Sequence, residues 1–207
     1  MPRTPRIHVS DSWYHVFNRG ARRQAVFFDS TDRRLFLELI AEVADRYGVE
    51  IHAYCLMGNH YHILIRAPEP NLGEVMQYLI GTYTTRFNTR HRFDGALFRG
   101  RYKAVLVATE RYLVGVSRYI HRNPVDGGLT KNVDDYIWSS LPDYLGLRPA
   151  PHWLHTGVTL ALAGGWQEYA AFVRASFRDI ELDDFYGRAR VPSVLGSPVH
   201  TALAEAS

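Results

Sequence analysis

An α+β fold, in which helices pack on one face of an antiparallel sheet, is predicted by three observations in this 207-residue sequence. Hydrophobic patterns of strand and helix period follow one another through the first 125 residues in the order strand, helix, strand, strand, helix, strand, helix. The two central strand patterns are parted only by Gly58-Asn59, a pair suited to a tight hairpin turn. The single cysteine, Cys55, sits inside an apolar run, so a hydrophobic core and not a disulfide framework has to hold the chain together.

Each element carries its own signal. Trp13-Tyr14-His15-Val16-Phe17-Asn18 alternates as a strand does, and Asn18-Arg19-Gly20 closes it with turn residues. Asp29, Ser30 and Thr31 offer N-caps for a helix whose Leu35, Phe36, Leu39, Ile40, Val43 and Tyr47 share a face before Gly48 stops it. Glu50 to Met57 and His60 to Arg66 read as the second and third strands. Asn71 with Glu74 three residues on has the form of a capping box, and Leu72, Val75, Met76, Leu79, Ile80, Tyr83 and Phe87 supply the apolar side of the helix it starts. Arg101 to Val107 alternates as a fourth strand. Thr109 and Glu110 then open a third helix carrying Tyr112, Leu113, Val116, Tyr119 and Ile120. Pro124 is expected to end that helix at or before Asn123, because the residue preceding a proline is pushed out of the α region. This order fits a ferredoxin-like sheet.

Residues 1–125 therefore form the main domain. Beyond them Gly127-Gly128 and Asp134-Asp135 mark a connector, and helical patterns at 138–145, 153–163 and 166–177 predict a helical C-terminal extension over residues 126–187. Residues 188–207, with Pro192, Pro198 and no sustained period, read as a flexible tail.

Composition narrows the function classes. A chain that is 46% hydrophobic and 22% charged is ordinary for a globular protein. The start, Met1-Pro2-Arg3-Thr4-Pro5-Arg6, lacks the apolar stretch of a signal peptide, and no run of about 18 apolar residues occurs, so the expectation is a cytoplasmic protein with no membrane partner. The net charge of +3 is unevenly distributed. Residues 1–125 hold 18 Lys and Arg against 11 Asp and Glu, a net +7, while residues 126–207 hold 6 against 10, a net −4. All but Lys103 and Lys131 of the basic residues are arginine, whose fork matches phosphate oxygens and stacks on bases. With 13 tyrosines and 10 phenylalanines, an arginine-rich first part points to a nucleic-acid partner.

The chemistry-bearing stretch is Met57-Gly58-Asn59-His60-Tyr61-His62-Ile63-Leu64-Ile65. On a strand, positions i and i+2 face the same way, so His60 and His62 project together while Tyr61, Ile63 and Ile65 face a core. Two imidazoles side by side suit one divalent ion, although two half-buried strand histidines bonded to backbone would give the same spacing. A second stretch, Tyr119-Ile120-His121-Arg122-Asn123-Pro124, puts a phenol and an amide one helical turn apart on one face. By spacing alone Tyr119 is as readily a packing residue beside Leu113, Val116 and Ile120.

Taken together the stretches resemble the single-tyrosine HUH transposases, and specifically the REP-associated tyrosine transposase branch. Four segments carry the likeness: Trp13 to Gly20, Met57 to Ile65, Phe98-Arg99-Gly100-Arg101-Tyr102-Lys103, and Arg118 to Val125, with Trp138-Ser139-Ser140 and Tyr144-Leu145-Gly146 in support. They span most of residues 13–146. The resemblance implies the HUH nuclease fold and a metal-dependent nuclease and strand transferase acting on single-stranded DNA, with His60 and His62 as metal ligands and Tyr119 as the nucleophile that forms a 5′-phosphotyrosine. It implies Asn123 as third ligand, one turn after the tyrosine, and Mg²⁺ as the ion, with Mn²⁺ second. The substrate it implies is a short palindromic hairpin dispersed through bacterial genomes.

Arg19, Arg99, Arg101 and Lys103 sit in the family-like segments and are expected to contact phosphates, as is Arg122 beside the nucleophile. His15, in the first strand, stands next in line either to hydrogen-bond around the site or to fill the sheet, and the simpler reading, sheet filling, is preferred. His52 and Cys55 match no common zinc spacing with the two histidines. Two other readings fit the same residues: a hairpin-binding protein without turnover, and a metal hydrolase that uses water in place of Tyr119. The sequence leaves open the hairpin recognised, whether the chain is a monomer or a homodimer, and whether the tyrosine serves its own subunit.

Overall fold

The computed structural model describes residues 9–177, 179–188 and 191–196. Its centre is a sheet in the order β2-β3-β1-β4-β5, built from β1 (Ser12–Arg19), β2 (Glu50–Leu56), β3 (His60–Ala67), β4 (Lys103–Val107) and β5 (Val194–Leu195). The first four pair antiparallel in the ferredoxin-like arrangement. Register follows from the side-chain period: Tyr61, Ile63 and Ile65 of β3 lie with Tyr14 and Val16 of β1 in one core, so His60 and His62 must lie on the reverse face.

Helices α1 (Ser30–Tyr47) and α2 (Leu72–His91) cover that first face through Phe36, Leu39, Ile40, Val43, Val75, Met76, Leu79, Tyr83 and Phe87. Both link parallel strands of the sheet, and right-handed crossovers put them on the same side. The Asp29 carboxylate caps α1 by accepting from the Thr31 and Asp32 amides, and Gly48 ends it at φ 65°. Asn71 departs from the capping-box expectation. Its side chain donates to the Tyr47 carbonyl at 3.1 Å, so it ties the start of α2 to the end of α1 and makes no cap bond.

Helix α3 (Arg111–Asp126) differs in two ways. It follows the last strand of the βαββαβ unit and covers the opposite face, where Leu113, Val116 and Ile120 meet Ala53, Cys55, Leu64, Val105 and Val107. Helices therefore lie on both faces, and the expected single helical face is that of α1 and α2. Burying those three α3 side chains is worth about 1.5–3 kcal/mol each, which explains why the helix is held there. It also runs through Pro124 to Asp126, one turn past its expected end, with Gly127 N–H bonding back to the Asn123 carbonyl at 2.8 Å.

Among the described residues four short α-helices follow α3: α4 (Leu141–Tyr144), α5 (Gly157–Ala163), α6 (Trp166–Arg174) and α7 (Ile180–Gly187). A separate cluster of Val133, Leu141, Tyr144, Tyr169 and Val173 joins α4 and α6, with Leu160 and Ala163 of α5 packed against it, while α7 places Leu182 and Phe185 in the α3 core. Within the stretch read as a flexible tail, Val194 and Leu195 instead pair parallel with Leu106 and Val107 of β4, and Leu195 is buried in the α3 core. Residues 197–207 lie outside the described residues. Among the described residues, no helix is long and apolar enough to cross a membrane.

Candidate active site

The α3 face of the sheet carries His15 on β1 and His60 and His62 on β3, and α3 lays Tyr119 and Asn123 across them. The His60 and His62 ring centres are 5.1 Å apart, and the Tyr119 ring meets those of His62 and His15 edge-on, 5.8 Å from each. A cleft of about 500 Å³ opens here, walled by His60, His62, Tyr119 and Asn123. Arg19, Arg99, Arg101 and Lys103 form its basic side, so eight of the nine residues singled out in the sequence converge on one space.

The basic side is a built loop. Arg99 N–H bonds to the Arg19 carbonyl at 2.9 Å, and the Asn18 amide donates to the Gly100 carbonyl at 3.0 Å, which fastens Phe98–Arg101 to the end of β1. This is why β4 begins at Lys103 and not at the expected Arg101. The Lys103 ammonium lies over the Phe17 ring at 5.7 Å.

Arg122 is the exception. It lines a second hollow on the other side of Tyr119 and Asn123, and its Nη1 donates to the Val173 and Ala175 carbonyls at 2.9 and 3.0 Å. Arg118, one turn earlier and 4% exposed, donates to the carbonyls of Phe172, Ala175 and Phe177. Two arginines of α3 thus satisfy the carbonyls that α6 leaves unpaired at its C-terminus, where the helix dipole also favours cations. The Arg122 charge closes a helix end and does not face the cleft. The neighbouring His121, fully buried, bonds Tyr169 and Ser140, both at 2.7 Å.

Three residues that the sequence reading did not assign to the site belong to it. His15 is not sheet filler: its Nε2 lies 2.8 Å from His62 Nδ1 and its Nδ1 lies 2.6 Å from the Tyr186 hydroxyl. Tyr186, from α7, stacks on Tyr119 with ring centres 4.4 Å apart. Asn59 places its Oδ1 2.6 Å from His60 Nδ1. Asn59 lies beside His60 in the chain and was within reach of sequence reasoning, whereas nothing local marks Tyr186.

Burial sets the protonation states. It lowers His60 to about 4, helped by the Arg19 charge and opposed by the Asn123 side chain, and it lowers His15 to about 3. His62 falls well below the usual imidazole range, chiefly by burial and then by His15, His60 and Arg19. All three rings are neutral at pH 7, the form a metal ligand needs. Tyr119 is pushed up to about 12 by burial, with Asp126 and Asp183 adding to it, so its phenol is protonated.

The Asn123 amide donates through Nδ2 to the Tyr119 carbonyl at 2.7 Å, which can only accept. Its Oδ1 is therefore the atom left for His60, which its side chain touches. With His60 Nδ1 held by Asn59, a lone pair on His60 Nε2 and one on Asn123 Oδ1 are left over. Two acceptors brought together in this way fit a cation between them. Among the described residues no three His, Cys, Asp or Glu side chains form a metal-binding group, so an ion here would draw on an amide as well as the imidazoles.

A strand-borne histidine pair thus lies beneath a helical tyrosine and opens to a cleft with a positively charged side. Residues 8–123 match the model of the family described as Transposase IS200 like. The chain belongs to this family of DNA transposases. Among solved structures it is similar to a REP-associated tyrosine transposase bound to a REP hairpin, with 19% identity over 76% of this chain and 93% of that one and a TM-score of 0.60. At that identity the likeness is one of fold. A crystal structure of a proposed transposase from Deinococcus radiodurans r1 is 20% identical over 58% of this chain and 97% of that one, with a TM-score of 0.41. No curated protein matches the sequence.

Proposed function

We propose that the protein is a metal-dependent single-stranded DNA endonuclease and strand transferase of the REP-associated tyrosine branch, working on hairpin-forming repetitive palindromes through Tyr119. The observation that carries this reading is the position of the Tyr119 ring, within 5.8 Å of the His62 ring centre and facing the cleft that Arg19, Arg99, Arg101 and Lys103 line.

His60, His62 and Asn123 would hold Mg²⁺, with Mn²⁺ as second choice. The ion supplies positive charge to a non-bridging phosphate oxygen and lowers the barrier to attack. The chain's own residues do the rest. The arginines and Lys103 fix the backbone phosphates, and the bonded rings of His15 and Tyr186 hold His62 and Tyr119 in place. The Tyr119 oxygen attacks phosphorus while its proton passes to water in the cleft. The bond from phosphorus to the 3′ oxygen breaks and that oxygen takes a proton from water, leaving a 5′-phosphotyrosine and a free 3′-hydroxyl. Because Tyr119 is raised to about 12, it is a weak nucleophile until charge is placed opposite it. The phosphotyrosine retains the energy of the broken bond, so a second 3′-hydroxyl can rejoin the strand without a nucleoside triphosphate.

Incubating labelled hairpin DNA with the protein and Mg²⁺, then resolving the products on a denaturing gel, tests this. The expected product is a cut strand joined to protein. Cut strands free of protein would favour a water nucleophile, and binding without any cut would favour a hairpin-binding role.

A further inference from the structure

We propose that Asn59 is a positioning residue that presets His60 for an ion, whereas His62 takes its tautomer from the ion itself. This rests on reading His60 and His62 as metal ligands and adds how each ring is prepared.

The short hydrogen bond between Asn59 and His60 can run in only one direction, and it competes with the Asn123 oxygen for the single His60 proton. Asn59 Nδ2 donates to the Arg23 carbonyl at 3.1 Å, and a carbonyl cannot donate. The amide nitrogen must therefore face Arg23 and the amide oxygen must face His60, where it lies 2.6 Å from Nδ1. An oxygen acceptor at that distance requires a proton on Nδ1. A neutral imidazole has one N–H, so His60 Nε2 is left with a lone pair whether or not an ion is present.

The anchor of this chain is itself fixed. Arg22 and Arg23 sit in the left-handed region at φ 52° and 63°, which residues with a Cβ seldom adopt. The turn also depends on Gly20, whose N–H bonds to the Asn59 carbonyl at 2.8 Å and where a Cβ would come 2.1 Å from the Gln24 carbonyl oxygen. Strain of this kind persists where the surroundings over-determine it. Here it points the Arg23 carbonyl at Asn59.

The bonds around His62 run either way. His62 Nδ1 meets His15 Nε2, and His15 Nδ1 meets the Tyr186 hydroxyl, and every member can donate or accept. When the phenol donates to His15, His15 Nε2–H donates to His62 Nδ1 and the His62 proton sits on Nε2. In the reverse direction His62 Nδ1–H donates to His15 Nε2 and His15 Nδ1–H donates to the phenol oxygen. His62 Nε2 is then bare, and the Tyr186 O–H turns toward the cleft it lines. Each of the three groups keeps one proton in both arrangements, so none is taken up or released. A phenol is a better donor than acceptor, so the first arrangement holds in the metal-free protein and ligation at His62 Nε2 selects the second.

Nitrogen-15 NMR of the histidine rings in the full chain, first metal-free and then with Mg²⁺ alone, tests the proposal. His60 is expected to carry its proton on Nδ1 before and after Mg²⁺, and His62 to move its proton from Nε2 to Nδ1. Asn59→Ala should let His60 mix tautomers and weaken Mg²⁺ binding by roughly 10-fold or more. Asn59→Asp keeps an acceptor and should restore the Nδ1–H form and most of the affinity. A wild-type His60 protonated on Nε2, an Asn59→Ala ring with an unchanged tautomer, or a metal-free His62 already protonated on Nδ1 would overturn the proposal. If Mg²⁺ moves neither ring, the metal reading fails separately, and the metal-free His60 tautomer still decides the role of Asn59.

Discussion

Tyr119 of α3 and Tyr186 of α7 stack face to face, with ring centres 4.4 Å apart and planes inclined by 20°. Two helices separated in sequence by residues 127–179 thus share one aromatic contact above the histidines. The contact needs the ring and not the hydroxyl. Tyr119→Phe is therefore expected to keep the fold and hairpin binding and to lose both the cut and the covalent adduct. Mass spectrometry of the wild-type adduct should place the nucleotide on the peptide containing Arg118-Tyr119-Ile120, and its appearance on Tyr186 would transfer the nucleophile's role to that residue.

His60→Ala or His62→Ala removes one imidazole from the proposed ion site while the basic side of the cleft stays intact. Cleavage should fall by at least about 100-fold, with hairpin affinity within a few-fold of wild type, and a chelator should reproduce the effect. Cleavage by His60→Ala that persists in chelator would remove the metal from the mechanism.

Binding should weaken as salt is added, with a log–log slope of about −0.7 for each phosphate neutralised on a single strand. Arg99→Ala, Arg101→Ala and Lys103→Ala should each make the slope shallower by about 0.7 if that side chain contacts a phosphate. Arg122→Ala should leave the slope unchanged, because its guanidinium closes the end of α6. A titration of affinity against salt for the four variants distinguishes the two groups.

Arg118→Met tests how the extension is held to α3. The change strands the Phe172 and Phe177 carbonyls, while the Ala175 carbonyl keeps Arg122, and the loss should be about 2 kcal/mol or more. Urea unfolding at pH 7 measures it, and a loss under 1 kcal/mol would mean that water replaces the guanidinium at little cost.

Acid should destabilise the fold through its buried histidines. Burial lowers His121 from 6.5 to about 3, so between those values the unfolded chain binds a proton that the folded chain refuses. Its contribution is complete above about pH 6.5 and is lost as pH falls, at roughly 1.4 kcal/mol per pH unit for one such proton. His121→Gln should remove about one proton's worth of slope from the stability of the protein between pH 6 and 4. An unchanged slope in urea titrations would show that His121 titrates in the folded state.

The sequence by itself determined what depends on local period. The i and i+2 spacing of His60 and His62 put both rings on one sheet face, because Tyr61 and Ile63 between and beyond them had to be buried. The spacing of Tyr119 and Asn123 put them on one turn of a helix for the same reason. Local pattern also marked four of the five described strands and the three main helices, whereas Arg99 and Arg101 were singled out by the family resemblance and Arg101 was read as strand.

Only the tertiary structure decided which face α3 covers, and with it whether Tyr119 meets the histidines at all. That choice rests on apolar residues of β2, β3 and β4 that are far from α3 in sequence. The choice between a bonding and a filling role for His15 likewise needed the fold, since its partner Tyr186 lies 171 residues away. Arg122 looked like a phosphate contact in the chain and became a helix cap in space, because the carbonyls it satisfies belong to α6. Periodicity fixes which way a side chain points from its own element, and only packing fixes what it meets there.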